Sequence, residues 1–161
     1  MEDIGGLQQF LDSLPPDERM VRRLAFQSLL HGIPMTIQDL AQRMDMRPQQ
    51  AYDLVQRLAN KGVVVWNTQS AAIVGSGGLS VIPSPHRLVM EDFRGYAWCA
   101  ADAIGIPAAL EKDAAISSVC HESGEPIFIH LRRGEILDFS HPDIRVFVVE
   151  ADTSQSVSGH T

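Results

Sequence analysis

Three amphipathic stretches in succession, each with its own start or stop signal, constrain this chain more than any other feature. In DERMVRRLAFQSLLHG, residues 17–32, Val21, Leu24, Ala25 and Leu29 share one helical stripe and Gly32 ends it. TIQDLAQRM opens on Thr36 with Asp39 three residues later, a weak capping-box cue, and sets Ile37, Leu40, Ala41 and Met44 on one face. PQQAYDLVQRLANKG starts with Pro48 and ends at Gly62, with Ala51, Leu54, Val55 and Leu58 at the spacing of a buried stripe. VVVW, 63–66, then reads as a strand, and AAIVGSGGLSV as its partner across the NTQS turn.

Three helices closed by a hairpin is the layout of a winged helix-turn-helix, and DNA binding through helix 48–61 is one function such a unit can serve. Charge argues against it. The chain of 161 residues carries a formal net charge of −7. Residues 1–66 hold seven Lys/Arg against eight Asp/Glu, and residues 67–161 hold six against twelve. Phosphate contacts need clustered cations, and neither half is basic. Packing of the trihelical unit against the second half is the plainer alternative. No apolar run is long enough to span a bilayer, and MEDIGGLQQF lacks the basic start and apolar middle of a secretory signal. A cytoplasmic location and a monomer are the expectations. The two cysteines are then expected as free thiols, with no structural zinc site in their spacing.

In the second half, LSVIPS and HRLVME read as short strands, and Tyr96–Leu110 as a helix that Gly105 and Pro107 interrupt or end. AAISSVC, the turn HESGEP and IFIHL form a predicted hairpin with Cys120 at the end of its first strand. RGEILDFS and IRVFVVE are predicted as further strands around SHPD, and ADTSQSVSGHT as a disordered polar tail. The expected fold is α+β. A three-helix winged-helix-like unit, residues 1–78, packs on a mixed or antiparallel sheet core, 79–150, whose helix carries Cys99 and Asp102; the tail is 151–161.

Cys99 and Asp102, three apart in GYAWCAADAIGIPAAL, fall on one helical face, close enough to interact. A first-turn position favours the Cys99 thiolate through the helix dipole, and a charged Asp102 opposes it. A protonated Asp102 has a proton to give. The pair suits chemistry that needs a soft nucleophile and a proton donor together, such as cleavage of carbon from mercury. The plainer alternative is a packed thiol beside a capping aspartate. Tyr96 and Trp98 fill the core or wall such a site.

GLSVIPSPHRLVMEDFRGYAWCAADAIGIPAAL, with AAISSVCHESGEPIFIHL after it, resembles the organomercurial lyase, or alkylmercury lyase, family. The likeness runs over roughly residues 17–150, with YAWCAADA its most specific part. The resemblance implies that Cys99 captures mercury, that Asp102 shuttles the proton, and that Cys120 is a structural thiol. It also implies a winged-helix-like N-terminal unit that need not bind DNA. The chain departs from the family beyond IRVFVVE, where the family carries a second catalytic cysteine and further strands and a helix. Here ADTSQSVSGHT follows, without cysteine, and a chain shortened at its C-terminus is the expectation. An external thiol, Cys120, His141 or His160 would have to supply the second ligand.

The leading expectation is an enzyme that cleaves carbon–mercury bonds by protonolysis and takes a small organomercurial or soft-metal ligand. Mercury is its substrate, and no resident cofactor, nucleic acid or membrane partner is expected. The alternatives are a soft-metal or thiol-reactive ligand binder without turnover, and a helix-turn-helix regulator.

Overall fold

The computed structural model describes the backbone of residues 4–146 and the side chains from Gln9 onward. Helix α1, Ile4–Ser13, precedes α2, Pro16–Leu29; then come β1, Met35–Thr36, α3, Ile37–Arg43, and α4, Pro48–Asn60. The hairpin β2, Val64–Asn67, and β3, Ala72–Ser76, closes this part. The helical stripes lie where their periodicity predicts. Val21, Ala25, Leu40, Ala51, Val55 and Leu58 are fully or almost fully buried, and Thr36 caps α3 by accepting from the Asp39 N–H at 3.1 Å. These residues form one apolar cluster with Val63, Val64 and Ile73.

One helix escapes the sequence pattern: four helices, not three, precede β2. Gly5 and Gly6 lower the helix propensity at the start of α1, while Phe10, Leu11 and Leu14 pack it onto the first cluster. Tertiary burial wins over local propensity there.

The remaining elements are β4, Leu79–Ser80, β5, His86–Val89, β6, Arg94–Ala97, α5, Ala100–Ala109, β7, Ala114–Val119, β8, Pro126–Arg132, and β9, Glu135–Phe139. All nine strands join one antiparallel sheet in the order β1-β3-β4-β6-β5-β7-β8-β9, with β2 also on β3. The chain is therefore mixed α+β around a large antiparallel sheet. A second apolar cluster, with Leu79, Leu88, Phe93, Ala97, Ala103, Ile116 and Leu131, lies on this sheet. Leu29 at the end of α2 reaches it, while Val21 and Ala25 of the same helix serve the first.

Two expectations in this half are corrected. Tyr96 and Trp98 lie outside the helix. Arg94–Ala97 pairs with β5 on one side and β4 on the other, and the alternation of exposed Arg94, buried Gly95, half-buried Tyr96 and buried Ala97 has the period of a strand. The helix starts only at Ala100. Nor do Gly105 and Pro107 interrupt it: α5 continues to Ala109. Pro107 forfeits one helical hydrogen bond, but it is fully buried near the helix end, where packing offsets the loss. The hairpin β7–β8 forms as predicted, with six residue pairs in register. Of the predicted strand IRVFVVE, Ile144, Arg145 and Val146 are not in a strand. The rest of it, and the tail 151–161, lie outside the described residues.

Candidate active site at the start of helix α5

The chain leaves β6 at Ala97, and Trp98 N–H donates to the Gly78 carbonyl at 2.8 Å before the backbone turns into α5. Cys99 is the N-cap, in extended conformation. Its sulfur accepts from the Asp102 N–H at 3.4 Å, while its thiol donates to Asp102 Oδ2 at 3.1 Å. The two residues thus hold each other at the mouth of the helix, as a capping serine and an acid would. Sequence spacing predicts this encounter, although Cys99 is the cap itself rather than a residue of the first turn.

Cys99 is exposed as a residue, yet its thiol is partly withdrawn from water, and that desolvation is the main reason its pKa is pushed up to about 11. The Asp102 N–H works the other way by stabilising a thiolate, and the Asp102 carboxyl adds to the upward push through its charge and by accepting the thiol proton. The resting pair is a thiol already hydrogen-bonded to the group that would take its proton.

The β3–β4 hairpin makes room for the pair. Gly78 has φ +88°, and a Cβ there would sit 2.7 Å from Asp102 Cγ and Oδ1. Only glycine accepts both the backbone conformation and the closeness of the carboxyl. At Gly77, φ +59°, a Cβ would meet the Phe26 ring of α2 at 2.8 Å. The doublet in GSGGLS carries this information in sequence, but only as punctuation until the carboxyl is placed against it. His86, the cross-strand partner of Ala97, accepts from or donates to Ser118 Oγ through Nδ1 at 2.9 Å. Burial lowers the His86 pKa, and the field of Asp102 partly restores it. Sequence patterning did not mark His86 or Ser118, whose relation to the site arises only from strand pairing.

Trp98 is half-buried beside Cys99, and a Cβ on Gly75 would lie 3.1 Å from its indole Nε1. The ring packs against β3, and Nε1 is buried with no hydrogen-bond partner among the described residues. Cys120 is a half-buried free thiol just past β7, in the turn to β8. Hydrogen bonding from the Ser123 hydroxyl is the main influence lowering its pKa. Cys99 and Cys120 follow strands that flank β5 on opposite sides, and neither thiol bonds to the other. His141 is exposed after β9, with β5, β7 and β8 between that strand and β6, so the fold does not bring it to Cys99. His160 lies outside the described residues.

Beside Asp102, an open depression of about 310 Å³ is lined by Phe26 of α2, by Ala101, Gly105, Ile106 and Ala109 of α5, and by Leu110, which caps that helix. Among the described residues, Asp102 is the only ionisable one lining it.

Comparison with known proteins places this geometry in a family context. An alkylmercury lyase from Bacillus cereus is 29% identical over 135 residues, covering 84% of this chain and 60% of that protein. The alkylmercury lyase of Streptomyces lividans matches to the same extent. The chain thus spans about 60% of the length of the curated relatives it matches. The crystal structure of the mercury-bound form of MerB2 superposes with a TM-score of 0.87 at 27% identity, over 99% of this chain and 77% of that one. The MerB alkylmercury lyase family model matches residues 79–160, from β4 through the strand and cap that present Cys99 and Asp102. With half of its length matched by that model, this chain belongs to the alkylmercury lyase family.

Proposed function

We propose that this protein cleaves the carbon–mercury bond of an organomercurial by protonolysis, with Cys99 binding mercury and Asp102 moving the proton. The observation that carries the reading is the 3.1 Å hydrogen bond from the Cys99 thiol to Asp102 Oδ2. As sulfur bonds to mercury, the thiol proton passes to Asp102. The acid then gives that proton to carbon, which takes the electron pair of the breaking carbon–mercury bond. Hydrocarbon leaves, the carboxylate is regenerated, and Hg(II) stays on the Cys99 sulfur until an external thiolate fills its second position. Mercury is substrate and product here, and no resident cofactor enters the steps. Family membership and the mercury-bound neighbour support the assignment.

The order α2–β1–α3–α4–β2–β3 supports a winged-helix-like reading of residues 1–78, with 79–150 as the lyase-like core, 151–161 as a polar tail and Cys120 as a structural thiol. DNA is not its expected partner. Arg57 and Lys61, the cations at the end of α4, lie 3.4 Å and 2.6 Å from the buried Glu18 carboxylate of α2. A monomer in the cytoplasm completes the proposal. Incubation with an organomercurial and excess thiol should release hydrocarbon from the protein and none from Cys99→Ser; equal release from both would overturn the assignment. A second reading, mercury capture without turnover, is favoured by this sequence having only two cysteines, one capping α5 and the other just past β7. Stoichiometric, Cys99-dependent mercury binding with no hydrocarbon would establish it instead.

A further inference from the structure

We infer that a cavity between the ends of α2 and α3 binds a small organic carboxylate, with Arg43 holding the carboxylate and Leu30 and Ile33 receiving its apolar body. The cavity has a volume of about 370 Å³ and is lined by Gln27, Ser28, Leu30, His31, Ile33 and Arg43. Gln27 and Ser28 are on the last turn of α2, Leu30 caps that helix, His31 and Ile33 follow it, and Arg43 ends α3. None of these residues lines the depression beside Asp102, so the two sites are separate.

The lining is basic in an acidic molecule. His31 and Arg43 are its ionisable residues, and among the described residues no Asp or Glu lines it, although the chain carries a net charge of −7. Arg43 is not held by the protein itself. The ion pairs among the described residues join Arg57 and Lys61 to Glu18, and Asp39, the carboxylate one turn before Arg43, is taken by the Thr36 hydroxyl at 2.7 Å. The side chains of Gln27, Ser28 and His31 likewise make no hydrogen bond among the described residues. Four side chains able to donate N–H or O–H thus line one space without an acceptor of their own. Open carbonyls at a helix C-terminus would repel an anion, but here the chain's own amides take them. His31 and Ile33 N–H both donate to the Ser28 carbonyl at 3.1 Å, and Gly32 N–H donates to that of Leu29 at 2.8 Å. At the end of α3, Met44 and Met46 N–H donate to the Leu40 and Ala41 carbonyls at 3.0 Å.

A planar guanidinium matches a carboxylate through two parallel hydrogen bonds. The rest of the lining selects an organic acid over a bare oxyanion. At about 370 Å³ the cavity exceeds the roughly 150 Å³ that accepts benzene. Ile33, 58% exposed, leaves apolar area in water that the body of such an acid would cover, and inorganic phosphate would not. Titration with benzoate at fixed ionic strength, followed by amide NMR, tests the assignment. Benzoate should shift the amides of residues 27–33 and of Arg43 saturably, with benzyl alcohol and inorganic phosphate each binding at least about tenfold more weakly. Arg43→Gln should weaken benzoate about tenfold, the scale of one hydrogen bond to a charged group, and Ile33→Ala should weaken it severalfold. Both side chains are exposed, so both variants should fold, with amide shifts elsewhere unchanged. Four results would each overturn the assignment: no saturation by benzoate, shifts confined to residues 101–110, equal binding of benzyl alcohol or phosphate, or benzoate binding that Arg43→Gln leaves unchanged. None of these measurements depends on hydrocarbon release, so the assignment and the lyase reading stand or fall separately.

Discussion

At Cys99, loss of solvent and a neighbouring carboxyl both hold the proton on sulfur, against one backbone N–H that favours its departure. With a pKa of about 11, only about one Cys99 in a thousand is thiolate at pH 8, and the fraction rises tenfold per pH unit until the pKa is reached. Asp102→Ala removes the carboxyl's charge and its hydrogen bond, both of which raise the pKa, and keeps the backbone donor that lowers it. Cys99 in this variant should therefore react faster with iodoacetamide at pH 8, on a rate profile displaced to lower pH, while hydrocarbon release is lost. Mass spectrometry of the labelled peptides separates Cys99 from Cys120. Unchanged or slower labelling of Cys99 would show that the carboxyl does not hold the proton on sulfur. The sign matters for the proposed mechanism: Asp102 does not activate the resting thiol by its charge, and in the proposed step it is the base that takes the proton when mercury displaces it.

Among the elements, the β3–β4 hairpin and α5 depend on each other through Gly78. The spacing of Cys99 and Asp102 was legible because helical geometry is local, and three residues apart means one turn in any fold. The support beneath them was not legible, because it comes from a strand twenty residues earlier that is placed by pairing with β6. The same limit explains why Tyr96 and Trp98 read as helix: an apolar run gives no period that separates a strand with neighbours on both sides from a buried helix. The three helices from 17 to 61, by contrast, carried both stripe and start or stop signals, whereas α1 opens on Gly5 and Gly6, which lower helix propensity. Gly78→Ala tests the support directly. The added methyl would have to displace the carboxyl, 2.7 Å away, and sits at φ +88°. Hydrocarbon release should fall by about a hundredfold, since misplacing a reacting group by about 1 Å has that effect. Denaturation should show a cost of only about 1–2 kcal/mol for the backbone. A comparable loss of activity and stability, explained by unfolding alone, would remove Gly78 as a support for the carboxyl.

At the scale of the whole molecule, two apolar clusters share one sheet and one helix. β3 belongs to the first cluster through Ile73 and pairs with β4, whose Leu79 belongs to the second. α2 spans both, with Val21 and Ala25 in one and Leu29 in the other. The ion pairs from buried Glu18 of α2 to the partly exposed Arg57 and Lys61 tie that helix to the end of α4. Since Phe26 of α2 also walls the depression beside Asp102, loosening the helical part should loosen the site. The clusters are thus expected to unfold together. Leu54 and Leu58 in the first cluster and Leu88 in the second are 4%, 0% and 0% exposed. Each Leu→Ala change should therefore cost about 2–5 kcal/mol. In urea, Leu58→Ala and Leu88→Ala should each move a single transition to lower denaturant, with far-UV circular dichroism and tryptophan fluorescence giving the same midpoint. Two separated transitions, with each substitution moving only one, would mean that residues 1–78 and 79–150 fold independently. The sheet would then be a seam between two units, and a wall supplied by α2 would be a contact between them rather than part of one core.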